Sequence, residues 1–97
     1  MRVLNMLSVS ISNEGNQIIG KFIADSYFFE KDKYEYAFYL LRDGEKEKLQ
    51  VRWYQNKMEA TFDATDLFGL VYIKCFIRDK EIGNIRNFDS EKISINY

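Results

Sequence analysis

Short stretches of strictly alternating apolar and polar residues dominate the chain, and this period of two is typical of strands with one buried face. In residues 7–12 every second residue is apolar and the others are serines. Residues 13–16 carry turn chemistry, and residues 18–24 predict a second strand with Phe22 facing inward. The pattern therefore predicts a hairpin at the start of the chain. An irregular crossing over residues 25–33 follows it.

The middle of the chain predicts three further strands, at residues 34–41, 49–54 and 58–64. Asp43 and Gly44 lie between the first two and favour a hairpin, because a type I′ turn needs positive φ at both central residues. Alternation then divides the side chains between two faces. The side chains assigned to the inward face are Tyr34, Tyr36, Phe38, Leu40, Val51, Trp53, Met58, Ala60, Phe62 and Ala64.

The most apolar strand is predicted at residues 70–78, where both faces carry apolar side chains, as in the central strand of a sheet. Residues 79–84 read as a loop, and residues 91–97 as a final strand. About seven short strands with no helical period predict an antiparallel β-sandwich of the immunoglobulin-like or fibronectin-III-like kind. We expect residues 1–97 to form a single all-β domain.

Composition and charge narrow the classes of partner. The chain is 46% hydrophobic and 30% charged, as in folded globular proteins, and its aromatic content of 16% favours sheets. Fourteen basic and fifteen acidic residues leave a formal charge of −1, which does not favour nucleic acid as a partner. No stretch approaches the roughly 20 apolar residues of a membrane-spanning helix, and the first residues do not resemble a signal peptide.

Residue types also restrict the chemistry. The chain contains no histidine, which removes Ser-His-Asp and Cys-His catalysis and the usual zinc ligand sets. Cys75 is the single cysteine, so no internal disulfide can form, and its place mid-strand predicts a packed core position. We therefore expect a protein that is not an enzyme and that needs no cofactor.

Four carboxylates near strand ends are candidate glycosidase acids or calcium ligands: Asp63, Asp66, Asp79 and Glu81. Paired-acid catalysis needs a cleft that a small sandwich rarely builds, and the clustered spacing of a calcium loop is absent. The favoured interpretation is that these side chains serve turns and the solvated surface.

One aromatic set remains as a candidate for binding. If Trp53 points inward, alternation turns Arg52 and Tyr54 outward, and Tyr39 in the paired strand faces the same way. Aromatic rings beside an arginine can stack on a sugar or anchor a protein partner. The alternative interpretation, which we favour, is cross-strand packing on a face that neighbouring domains cover. Tyr39, Arg52 and Tyr54 are thus the predicted ligand or partner face.

Several short motifs resemble the triple-tyrosine (three-Y) immunoglobulin-like domains of bacterial proteins. They are Tyr34-x-Tyr36, Asp43-Gly44, the run Arg52-Trp53-Tyr54 and residues 69–79. The resemblance covers roughly residues 34 to 79. Val71 stands where the family places a tyrosine, with Tyr72 one position later.

The resemblance implies that residues 1–97 are a non-catalytic module of a larger bacterial protein, beside sensor, surface or glycan-related domains, at the cell surface or in the periplasm. Its expected partners are neighbouring domains or another protein. The second hypothesis is a carbohydrate-binding module that uses the outward aromatic face. No nucleic acid, no membrane insertion and no metal site is expected.

Overall fold

The computed structural model describes residues 6–25 and 29–95, which form eight β-strands and one turn of 3-10 helix. The strands are β1 (Met6–Glu14), β2 (Gln17–Asp25), β3 (Tyr34–Arg42), β4 (Lys48–Gln55), β5 (Glu59–Asp63), β6 (Gly69–Asp79), β7 (Ile85–Asp89) and β8 (Ile93–Ile95). The 3-10 turn, Lys31–Lys33, lies between β2 and β3. Residues 26–28 of the predicted crossing and Tyr97 of the predicted last strand lie outside the described residues.

The strands form two antiparallel sheets that pack face to face, so the predicted β-sandwich is confirmed. The first sheet has the order β1-β2-β5, and the second has the order β4-β3-β6-β7 with β8 also paired to β6. The chain crosses between the sheets three times, after β2, β4 and β5. The predicted opening hairpin is the pair β1 and β2, in register from Met6 opposite Asp25 to Glu14 opposite Gln17.

The strand count differs from the prediction because β7 was missed. Its residues pair with 74–78 of β6, and β8 pairs with 69–71, so the two short strands lie end to end along one edge of β6. In β7 only Phe88 is partly buried against the core, while Ile85 is 53% exposed. With a single inward apolar residue, this segment carries no alternation that sequence reasoning could detect.

The predicted hairpin at Asp43 and Gly44 also forms, with a longer connection than a two-residue loop. Gly44 has φ +81°, a value that side chains disfavour. The N–H of Glu45 donates to the carbonyl of Arg42 at 3.1 Å and closes the turn, after which the chain runs on to Lys48 before β4 begins.

The core fills the space between the sheets with the alternate side chains of each strand. In β6 buried and half-buried positions alternate without interruption over eleven residues. Three large aromatics, Tyr36, Phe38 and Phe62, are fully buried, and each such ring contributes about 1.5–3 kcal/mol by leaving water. The Tyr36 hydroxyl donates to the carbonyl of Lys31 at 2.8 Å, so its polar atom is satisfied. The inward assignment of β3 and β5 side chains is thereby confirmed at these rings.

Gly20 shows how closely the two sheets approach. A methyl group in place of its hydrogen would lie 3.1 Å from Cγ2 of Ile73, on the opposite sheet. Packing at this distance leaves little room for a larger side chain. The sheets are therefore in direct contact at the pair formed by β2 and β6.

Cys75 is fully buried, which confirms its predicted core position, and we expect its thiol to be unreactive in the folded protein. Burial raises the pKa of Cys75 to about 12, so almost no thiolate exists near neutral pH. A chromogenic thiol reagent at pH 8 should label the folded chain far more slowly than the chain in denaturant. Equal labelling rates in the two conditions would show that the thiol is accessible.

The same burial makes stability depend on alkaline pH. Burial also raises the pKa of Tyr36 to about 12, and for both groups the folded-state pKa lies above the ordinary value. Their contribution to the free energy of unfolding is fully present below about pH 9 and falls as the pH rises toward 12. Urea unfolding across this range should show that the free energy of unfolding declines. Cys75→Ala should remove the decline that begins near the ordinary pKa of a thiol, and the decline due to Tyr36 should remain at higher pH. A flat profile in the parent chain would contradict the assignment.

Candidate functional site

The outer face of the second sheet carries a row of aromatic and apolar side chains from three neighbouring strands, which we call the aromatic strip. Its members are Tyr39, Val51, Trp53, Tyr54 and Phe76. The ring centroids of Tyr39 and Phe76 are 4.7 Å apart, those of Tyr39 and Trp53 are 6.3 Å apart, and those of Trp53 and Tyr54 are 6.2 Å apart. Trp53 is 68% exposed and Val51 is 37% exposed, so much of the strip faces solvent.

A β-bulge in β4 creates this arrangement. Tyr36 lies opposite Gln55 and Phe38 lies opposite Arg52, so two residues of β4 occupy the interval that Ala37 alone occupies in β3. Such a bulge turns two consecutive side chains toward the same side of the sheet. Trp53 and Tyr54 therefore both lie on the outer face.

The bulge and a second register shift, between Leu40 and Leu41 of β3, overturn part of the predicted site. Trp53 and Val51 were assigned to the core and instead face solvent. Arg52 was assigned to the outer face, but its partner across the ladder is the fully buried Phe38, so its side chain points toward the other sheet. Tyr39 and Tyr54 lie on the outer face as predicted.

Tyr34, the remaining ring of the predicted inward set, sits at the margin of the core. It is half-buried and stacks on Phe29, with 5.3 Å between the ring centroids. The core assignment of Tyr34 thus holds only in part.

Arg52 belongs to a group of three β4 side chains that cover the free edge of β5, and we call this group the side-chain ladder. Gln50, Arg52 and Gln55 donate to the carbonyls of Asp63 at 2.6 Å, Thr61 at 3.1 Å and Glu59 at 3.2 Å, respectively. β5 pairs with β2 on its other side only, so these carbonyls would otherwise face solvent. The ladder joins the two sheets by hydrogen bonds at the rim of the core.

Arg78 occupies the place beside the strip that Arg52 was expected to fill. Its guanidinium carbon lies 3.7 Å from the centroid of the Tyr54 ring, and its Nη2 forms an ion pair with Glu35 at 2.6 Å. Burial raises the pKa of Tyr54 although Arg78 opposes the shift, so the phenol stays protonated and can donate a hydrogen bond. Sequence reasoning missed Arg78 because its proximity to Tyr54 depends on the bulge.

Two more charged groups border the strip. The Lys48 ammonium lies 5.2 Å from the centroid of the Tyr39 ring, and Lys74 forms an ion pair with Asp89 at 2.9 Å. A centre of aromatic rings surrounded by charged side chains is the usual composition of a protein-binding surface. None of the five side chains of the strip lines any of three clefts on the described residues.

The four candidate carboxylates lie at turns. Asp63 accepts from the backbone and hydroxyl of Thr65, and these hydrogen bonds lower its pKa. Asp79 accepts from the N–H groups of Ile82 and Glu81, which lower its pKa with help from Lys33. Asp66 and Glu81 are exposed turn residues. Within residues 6–25 and 29–95, no group of three or more His, Cys, Asp or Glu side chains is placed to hold a metal ion.

Comparison with known proteins adds no relative: no family model, curated protein or solved structure matches the chain. The resemblance to three-Y domains therefore stays a prediction. In the part of the chain that the structure describes, no helix has the length and apolar character needed to cross a bilayer.

The exchanged places of Arg52 and Trp53 predict a clear order of mutational effects. Arg52→Ala removes the bond to Thr61 and the contact of its guanidinium with the Phe62 ring at 4.8 Å, which should cost about 1–2 kcal/mol of stability. Trp53→Ala removes a largely solvated side chain and should cost less than about 0.5 kcal/mol. Urea unfolding of the two variants tests this order. A larger loss of stability for Trp53→Ala than for Arg52→Ala would show that Trp53 packs in the core.

Proposed function

We propose that this chain is a non-catalytic interaction module of a larger bacterial envelope, sensor or glycan-associated protein. It contacts a neighbouring domain or another protein through the aromatic strip. The observation that carries the proposal is the exposure of Trp53, 68% of whose surface remains in water at the centre of an aromatic row. Exposed tryptophan, tyrosine and arginine side chains are the residues that most often dominate binding energy at protein interfaces.

The charges around the strip support a protein partner. The ion pairs Arg78–Glu35 and Lys74–Asp89 already neutralise most of the local charge, so little charge has to be matched by the partner. Val51 and the rings supply apolar area for the centre of an interface, and the ion pairs supply its polar rim. The bulge in β4 also disrupts its backbone edge, which disfavours strand addition and favours contact through side chains.

A carbohydrate-binding role of the same face is the second candidate. The rings of Tyr39 and Trp53 are nearly parallel, with 21° between their planes, and a sugar can stack its C–H face on such rings. Lys48, Arg78 and the Tyr54 hydroxyl would then bind sugar hydroxyls in place of the originally expected Arg52.

Trp53 is the single tryptophan of the chain, so its fluorescence reports directly on the strip. We expect red-shifted emission from the isolated chain and a blue shift when the adjacent domain of the parent protein is added. Trp53→Ala has no tryptophan, so its association is measured by titration calorimetry, and it should be at least about tenfold weaker, as expected for a buried interface anchor. Phe68→Ala is a matched control, since Phe68 is 59% exposed but lies outside the strip. Equal effects of the two substitutions would argue against the strip as the interface.

A panel of neutral glycans tests the second candidate. If the strip binds a sugar, the amide resonances of β4 should shift and saturate, and Tyr39→Ala should abolish the shifts by removing one of the two parallel rings. The absence of saturable shifts on β4 with every glycan would exclude the carbohydrate role for this face.

A further inference from the structure

A second surface, which we call the basic cleft, lies along the opposite side of β4 from the aromatic strip. It is bounded by β2, the 3-10 turn, the turn between β4 and β5, and β5 itself, and it encloses about 760 Å³. Its charged lining residues are Lys21, Lys31, Asp32, Arg52, Lys57 and Glu59. Four cationic and two carboxylate groups give this lining a net formal charge of +2, in a chain whose formal charge is −1.

None of the four cations of the basic cleft forms an ion pair within the described residues, although Lys21 lies opposite Glu59 in the β2–β5 ladder. Residues 6–25 and 29–95 contain thirteen lysine and arginine side chains, of which five form ion pairs. Eight remain without one, and four of these eight line this single cleft. A net positive charge concentrated in one cleft attracts an anionic ligand.

Arg52 is the best-positioned of these cations. Its Nε donates to Thr61, its Nη1 to the carbonyl of Val51 and its Nη2 to the Gln50 side chain, and all three acceptors are neutral. A guanidinium has five N–H donors, so two remain for a ligand, and the three bonds hold the group in place beforehand. An arginine side chain that is held in place and has two free N–H donors can bind the two oxygens of a carboxylate.

The shape of the surface suits an extended ligand. A smaller depression of about 350 Å³, lined in part by Asn16, Gln17 and Asp63, shares Arg52 and Thr61 with the basic cleft. The two depressions therefore follow β5, with Arg52 at their junction. A chain-like molecule could contact both, whereas a small ion would fill neither.

The uncharged and acidic lining residues restrict the ligand further. Asp32, Gln55, Asn56, Glu59 and Thr61 all line the basic cleft and offer hydrogen-bond acceptors, several of them donors as well. These groups match sugar hydroxyls, which both donate and accept. A ligand with both carboxylates and hydroxyls can form ion pairs with the cations and hydrogen bonds with these residues.

We propose that the basic cleft binds an acidic polysaccharide whose repeating unit is a uronic acid. Its carboxylates contact Arg52, Lys21 and Lys57, and its hydroxyls contact the neighbouring amide and carboxylate side chains. This site is separate from the aromatic strip and does not rest on the function proposed for it. It gives Arg52, which the strip does not use, a role in binding in addition to its role in the ladder.

Titration with a short oligomer of galacturonic acid tests the proposal, with amide resonances of the labelled chain as the readout. We expect saturable shifts at Lys21, Lys57 and Thr61 that weaken as salt is added. Lys21→Glu and Lys57→Glu should each weaken binding about three- to tenfold, the range expected for reversing one exposed charge. Lys46→Glu is the matched control, because Lys46 is also exposed and without an ion pair in the described residues but lies outside the cleft.

Two comparison ligands make the test specific. The same oligomer with its carboxyls reduced to alcohols should lose binding, and an oligomer of glutamic acid, which lacks hydroxyls, should bind more weakly. Equal binding of the reduced oligomer, equal or tighter binding of the glutamate oligomer, or no saturable shift at all would each overturn the proposal. Resonances of Trp53 separate the two surfaces, since ligand at the aromatic strip shifts them while ligand in the cleft leaves the Trp53 indole unchanged.

Discussion

The extra residue that β4 carries opposite Ala37 is the constraint on which both candidate surfaces depend. Without it, strict alternation would place Trp53 and Tyr54 on opposite faces of the sheet. With it, both side chains lie outside, while Gln50, Arg52 and Gln55 all point toward β5. This bulge, together with the register shift between Leu40 and Leu41, exposes the aromatic strip on one face and completes the side-chain ladder on the other.

The inner face of β4 is polar because it lies beyond the apolar core. Phe38 and Leu40 of β3 are fully buried, but their β4 neighbours across the ladder are Arg52 and Gln50. These long side chains reach the carbonyls of β5, an edge that two packed sheets would otherwise leave open. Arg52 also lies over the Phe62 ring, so its stem and guanidinium cover an aromatic core residue from solvent.

Sequence reasoning recovered the parts of the fold that obey regular alternation. In residues 58–64 and 70–78 every second side chain points inward without a break, and β5 and β6 show that alternation directly. The bulge left no such signal, because Arg52-Trp53-Tyr54 contains no glycine or proline and reads as an ordinary strand. The outward placement of Trp53 and the proximity of Arg78 to Tyr54 both depend on register, which sequence periodicity does not specify. β7 was not predicted for a different reason. Only one side chain of this edge strand faces the core, so its sequence shows no alternation of apolar and polar residues.

The side-chain ladder also affects the order in which contacts between the two sheets form during folding. Its bonds join residues 13, 9 and 4 positions apart, whereas the ion pair between β3 and β6 joins residues 43 positions apart. Closing a short loop costs less chain entropy than closing a long one, and contacts that are local in sequence form sooner. We infer that β4 and β5 are the segment in which the two sheets first meet, so the register of the sandwich is set locally before its central strands pair.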